Sequence, residues 1–287
     1  MSCPDCFRGF IHNYAEPTGS ERLLYGVRTY CAGSQEQQAS SSTIIIFTDV
    51  FGLNLVNNKL VADYFASETG YTVLVPDLVP SRGIHPTCFP VMDCVVTPVK
   101  WWDVFGHIKR VLSAIRMLGF FLPIALGTKA AYPRVLDYTR AVKADLAVGA
   151  KLGVAGYCWG GLQSTKLSQE PATEGGSDRL IDAHYTAHPS SLKLPDDLVQ
   201  SVGKYNVPLS LASGDGDFAV TPERMVELEA AMRQRFGDGD GEYAFELKMY
   251  EGCKHGFAIR ADRRRTHEDT AANEAAIQAV EWFKRFL

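Results

Sequence analysis

The sequence predicts an α/β fold, a mainly parallel, doubly wound sheet with helices on both faces and a helical insert before one of the central strands. Two observations carry that expectation. Short apolar runs rich in Val, Ile and Tyr alternate with helical patterns along the chain, which is what successive βαβ units produce. The length of 287 residues suits a sheet covered on both faces that folds as one unit, 1–287, around one large core.

The first expected strand covers 24–30, an edge element in which Tyr25, Val27 and Thr29 alternate with Leu24, Gly26 and Arg28. A polar Ser/Gln stretch at 34–42 follows, too short to divide domains. Core strands are expected at 43–48, 71–76, 152–157, 181–187, 208–213 and 245–250, and helices at 60–68, 101–117, 132–143, 161–168, 222–235 and 269–286. The last helix sets Ala276, Val280, Phe283 and Leu287 at i, i+4, i+7 and i+11, one apolar stripe for docking on the sheet. Residues 81–150 are the long excursion, and insertions of this size build lids or binding walls. Their aromatic residues, Trp101, Trp102, Phe105, Phe120 and Phe121, suit core packing or a larger, apolar substrate. The apolar run 111–127 is interrupted by Ser113, Arg116, Pro123 and two glycines. It falls short of the roughly 20 clean apolar residues of a membrane span, so it reads as a buried helix or lid and no membrane is expected.

Composition narrows the function classes. With 46% hydrophobic and 22% charged residues and a formal charge of -4, the chain has an ordinary globular composition. The densest basic cluster, Arg260 to Arg265, is broken by Ala261 and Asp262 and reads as a solvated surface rather than a nucleic-acid footprint. Seven cysteines without framework spacing argue for a reducing, cytoplasmic compartment. Cys3 and Cys6 form a CxxC with no second ligand pair at zinc spacing. Asp5 and Arg8 stand where a signal peptide would be apolar, so no export signal is expected there.

The most informative segment is Gly153-Val-Ala-Gly156-Tyr-Cys158-Trp-Gly160-Gly161, an apolar strand running into G-x-C-x-G with a helical pattern directly after it. It resembles the nucleophile elbow of the α/β-hydrolase fold with Cys in place of Ser. A buried structural cysteine would leave Gly156, Gly160 and Gly161 without a purpose, because glycine weakens strands and helices alike. At the start of a helix the dipole and open N–H groups favour thiolate and can receive a developing oxyanion.

A thiol that attacks a carbonyl needs a base that also serves as an acid, and histidine does both near neutral pH. Seven histidines compete. His255 stands in Tyr250-Glu-Gly252-Cys-Lys-His255-Gly256-Phe257, after the last expected strand, where this fold delivers its histidine. His184 and His188 belong to another strand end, where either hydrogen-bonded packing or the pocket floor would occupy them. The orienting carboxylate is expected in Ser213-Gly-Asp215-Gly-Asp217; Asp217, three residues past Gly214, is preferred, and Asp215 is read as a turn former. The order Cys158, Asp217, His255 is that of α/β-hydrolases.

With these residues in view the chain resembles the dienelactone hydrolase family, in a variant similar to members often found in fungi, some in secondary-metabolite pathways. The resemblance rests on G-Y-C-x-G-G at 156–161, G-x-x-D at 214–217 and Y-x-G-x-x-H-G-F at 250–257. Asp49-Val-Phe-Gly52-Leu-Asn54 and Val75-Pro-Asp77-Leu78 are similar to two further family stretches. The resemblance implies Cys158 as nucleophile, His255 as base and Asp217 as its partner, with the Val50 and Trp159 amides as oxyanion hole. It implies that Asp49 replaces a glutamate that helps control the nucleophile, and that Arg82 and Arg260 lie near the family's substrate-binding arginines, each offset by one residue. The expected activity is hydrolysis of a lactone, ester or thioester of a small organic molecule through an acyl-cysteine, without metal or organic cofactor, by a monomer or homodimer. Acyl transfer, carbon–carbon lysis by the same site, and a non-catalytic binding protein stay open as alternatives.

Overall fold

The computed structural model describes residues 10–12, 15–33 and 42–287. The Cys3/Cys6 pair and nearly all of the 34–42 stretch lie outside them. Among the described residues eight strands form one sheet: β1 (Ser20–Leu24), β2 (Val27–Ala32), β3 (Thr43–Phe47), β4 (Thr72–Pro76), β5 (Leu152–Tyr157), β6 (Ala183–Ala187), β7 (Leu209–Gly214) and β8 (Phe245–Tyr250). Their order is β1-β2-β4-β3-β5-β6-β7-β8. From β4 through β8 every pairing is parallel, whereas β1 and β2 run antiparallel.

The single edge strand expected at 24–30 is a hairpin. Tyr25 and Gly26 both take positive φ, 50° and 74°, the two-residue turn whose twist matches that of the flanking strands. Alternation continued through the turn, so the sequence read across it. The core strands lie within a residue or two of their expected bounds, because β3, β4 and β5 are buried throughout and read as continuous apolar runs.

Helices α1 (Val56–Thr69) and α8 (Thr266–Phe286) pack against one face. On the other lie α3 (Val104–Ala144), α4 (Trp159–Leu167), α5 (Asp196–Gly203) and α6 (Pro222–Phe236). Two short helices, α2 (Phe89–Val96) and α7 (Phe257–Arg260), complete the set. The docking stripe of α8 is centred one position from its expected place, on Ala271, Ala275 and Ala279 with Phe283, while Ala276 and Leu287 are only partly buried.

The helices expected at 101–117 and 132–143 are one 41-residue helix, α3, which runs through Pro123 and Pro133. A helical proline frees the carbonyl four residues earlier; here both prolines and those positions, Gly119 and Lys129, are exposed, so water can satisfy what the ladder loses. The buried reading of 111–127 is overturned: just 17% of the most apolar 18-residue stretch of α3 is buried. The two halves of α3 differ in role. Ala131, Val135, Tyr138 and Val142 are buried in the core as the helix returns towards the start of β5. α3 also packs on α2, and the half before Thr128 adds Met117 and Ile124 to the core.

Candidate active site

β5 ends at Tyr157, α4 begins at Trp159, and Cys158 between them has φ 51° and ψ -108°. A non-glycine residue rarely holds such a conformation unless its surroundings impose it. The Cys158 N–H donates to Ala187 O at 3.3 Å, and its carbonyl accepts from Gly161 N at 3.0 Å and Ser190 N at 3.1 Å. The glycines have steric reasons: a Cβ on Gly156 would overlap Ser164 Oγ, and one on Gly160 would overlap the Phe47 carbonyl oxygen. The elbow is thus tied to β3 and β6 as well as to its own strand.

Cys158 is 5% exposed. Among the described residues the polar side chain in contact with its thiol is Ser190, with Oγ 3.9 Å from Sγ. The next residue is anchored from the insert, as the Trp159 indole donates to Thr128 Oγ1 at 3.1 Å. Across from the elbow, the loop after β3 carries Val50. Among the described residues neither the Val50 nor the Trp159 amide has an acceptor, while the neighbouring Gly160 N–H is taken by Thr48 O at 3.0 Å.

β7 and β8 deliver the other two residues. The turn after Gly214 folds back so that Asp217 N donates to Gly214 O at 3.1 Å, and Ala219 N donates to Asp217 Oδ1 at 2.8 Å. Both carboxylate oxygens of buried Asp217 lie 3.0 Å from His255 Nδ1. Asp215 points elsewhere and is partly exposed. His255 packs against Phe218 and His188, at 4.8 and 5.1 Å between ring centroids. It lines a hollow of about 300 Å³ together with Lys254, Arg260, Arg265 and Glu268.

His188 connects the two halves of the site, since Ser190, two residues on, holds the Cys158 carbonyl while the His188 ring faces His255. The ring is fully buried, and among the described residues neither of its nitrogens has a hydrogen-bond partner. Burial, reinforced by the nearby His255 and Arg260 charges, holds its pKa far below the usual range. His184 takes the packing fate: its Nε2 lies 2.8 Å from Ser164 Oγ, and burial lowers its pKa to about 3.

Asp49 and Arg260 form a buried ion pair, with Arg260 Nε 3.2 Å from Asp49 Oδ2. Asp49 Oδ1 also accepts from Phe51 N and Asn58 Nδ2, both at 3.2 Å. Burial pushes the Asp49 carboxyl above its usual range, against the pull of Arg260, Asn58 and Phe51. The guanidinium of Arg260 lies 5.1 Å from the Phe51 ring centroid. The reading of Arg260 to Arg265 as solvated surface therefore fails at Arg260, whereas Arg264 and Arg265 are exposed. Arg82 is not brought to this site: it is exposed and lines a separate hollow of about 510 Å³ with Arg28, Asp77 and Arg134. Sequence reasoning named Asp49 and Arg260 separately but missed their pairing, and it passed over Ser190 and Thr128. A serine three residues past a strand end beside the elbow was the one available signal.

The sequence profile of the dienelactone hydrolase family matches residues 27–287. The chain is 26% identical over 285 residues to a hydrolase of Aspergillus violaceofuscus, covering 98% of this chain and 96% of that one. It is 25% identical over 290 residues to dienlactone hydrolase 1 of Gibberella moniliformis, covering 98% and 93%. A solved structure described as a dienelactone hydrolase, from Klebsiella pneumoniae, superposes with a TM-score of 0.61 at 16% identity, covering 93% of this chain and 98% of that one.

Proposed function

The chain belongs to the dienelactone hydrolase family, and on that premise we propose that it hydrolyses a lactone, ester or thioester of a small organic molecule through an acyl-cysteine on Cys158. The observation that carries this reading is the strained Cys158 at the start of α4, on the same sheet edge as the buried Asp217–His255 pair. His255, its Nδ1 proton held by Asp217, takes the thiol proton on Nε2. The thiolate adds to the carbonyl carbon, and the Val50 and Trp159 amides receive the oxyanion. The carbon–oxygen or carbon–sulfur bond then breaks, and the leaving group departs with the proton that His255 holds. Water, deprotonated by the same imidazole, adds to the thioester, and the acid leaves as the thiol is restored.

The buried ion pair bears on substrate recognition. Because Arg260 already faces Asp49, we assign it a positioning role around the Val50 loop rather than that of an open anion receptor. Replacing Cys158 with Ala is expected to remove turnover of a nitrophenyl ester while circular dichroism stays unchanged, and full activity in that variant excludes the mechanism. Turnover in ¹⁸O-labelled water separates hydrolysis, which places one label in the acid, from acyl transfer to another nucleophile.

A further inference from the structure

The outer half of α3, residues 104–126, buries one face and leaves the opposite one bare. Ser113, Met117 and Ile124 are buried towards α2 and the body. On the far side Val104, Ile108, Val111, Ile115, Leu118 and Leu122 follow one another at four- and three-residue steps, and they are between 47% and 64% exposed. That spacing places them in one stripe along the helix. At about 1.5 Å per residue the stripe runs for roughly 30 Å. A contiguous apolar surface of this extent, unlike scattered exposed side chains, marks a site of association.

Charge and aromatic placement decide what covers it. Between Lys100 and Lys129 stand five basic residues, with Lys109, Arg110 and Arg116 among them, against one acidic residue, Asp103, in a chain whose net charge is -4. At 100° per residue Lys109, Arg110 and Arg116 stand roughly 120–140° from the middle of the stripe, on both sides of it and behind it; all three are exposed, so their long side chains can reach lipid headgroups above the apolar face. Trp101 and Trp102 are exposed at the start of the helix, with Lys100 over the Trp102 ring, the residue types enriched at a membrane–water interface. A second copy fits less well. Pairing the stretch with itself would bring together two segments of like charge, each with five cations and one carboxylate, without the acidic partners that join helices.

We propose that the outer half of α3 lies in the surface of an anionic lipid bilayer, apolar stripe inward, and holds the protein there. The attachment does not depend on the chemistry assigned to Cys158, and it departs from the sequence expectation that no membrane is involved.

Cosedimentation of the full chain with phosphatidylcholine vesicles, with and without phosphatidylserine, tests the proposal. Binding is expected to the phosphatidylserine vesicles and to weaken as salt rises. Replacing Ile108, Ile115 and Leu122 together with Gln should abolish it while leaving hydrolysis of a soluble ester intact. Changing Lys109, Arg110 and Arg116 to Gln should weaken it by roughly fivefold per charge. Wild-type protein that stays in the supernatant with phosphatidylserine vesicles overturns the proposal. So does a lipid-free dimer, seen by sedimentation equilibrium, that the three glutamine substitutions dissociate, for the stripe then belongs to a second copy.

Discussion

Asp215 and Asp217 stand two residues apart on one loop, yet Asp217 is the one that faces His255. Its expected role is to hold the imidazole with the Nδ1 proton inward, and Asn in its place lets the ring settle in the other tautomer. Asp217→Asn should therefore lower kcat/KM for an activated ester by up to roughly 10⁴-fold, and an unaltered pH–rate profile would show that the carboxylate does not set the base. The Asp49–Arg260 pair makes a separate prediction, about stability. Asp49→Asn removes the buried carboxylate that Arg260 faces at 3.2 Å and should cost up to about 3–5 kcal/mol. Combining it with Arg260→Met should recover part of that loss, less what Arg260 gives up above Phe51; strictly additive losses in urea unfolding would show that the two charges are uncoupled. Cys158, Asp217 and His255 were legible in the sequence because glycines and chain order frame each of them. The ion pair was not, since no local pattern joins a strand-end aspartate to an arginine on a helix near the other end of the chain.

At the scale of elements, β6 and the residue that follows it carry two histidines, His184 and His188, that folding buries in the neutral form. In the unfolded chain each titrates near pH 6.5. Above that pH both states bind the same protons and the two residues contribute no pH dependence. Below it the unfolded state binds more protons, so stability falls as pH falls, by about 1.4 kcal/mol per pH unit for each histidine. Unfolding free energies measured in urea should accordingly drop by roughly 2 to 3 kcal/mol between pH 6 and pH 5. His184→Gln, which can still reach Ser164, should remove about half of that slope, and an equal slope in both proteins would mean that His184 is protonated in the fold. The core strands were legible because full burial writes itself as unbroken apolar runs. The β1–β2 turn and the continuity of α3 were not: a turn at Tyr25-Gly26 needs positive φ rather than a break in alternation, and a proline on an exposed helix face ends nothing.

Over the whole molecule, buried residues of the sheet and the helices on its two faces form a large core and a smaller one around α5, α6 and β7, whereas the outer half of α3 reaches the large core only through Met117, Phe121 and Ile124, with its most apolar stretch largely unburied. Helical hydrogen bonds that are not backed by packing open locally, at a free energy well below that of global unfolding. One continuous helix should therefore show two levels of protection. In lipid-free protein, amide exchange followed by mass spectrometry should be at least tenfold faster in peptides from 105–116 than in peptides from 131–142, where Ala131, Val135, Tyr138 and Val142 enter the core. Adding phosphatidylserine vesicles should slow the first set and leave the second unchanged, because a bilayer covers the part that the core does not. Uniform slow exchange along α3 without lipid would mean that the exposed stripe is already covered in solution, and the division of the helix into a core half and an outward half would be wrong.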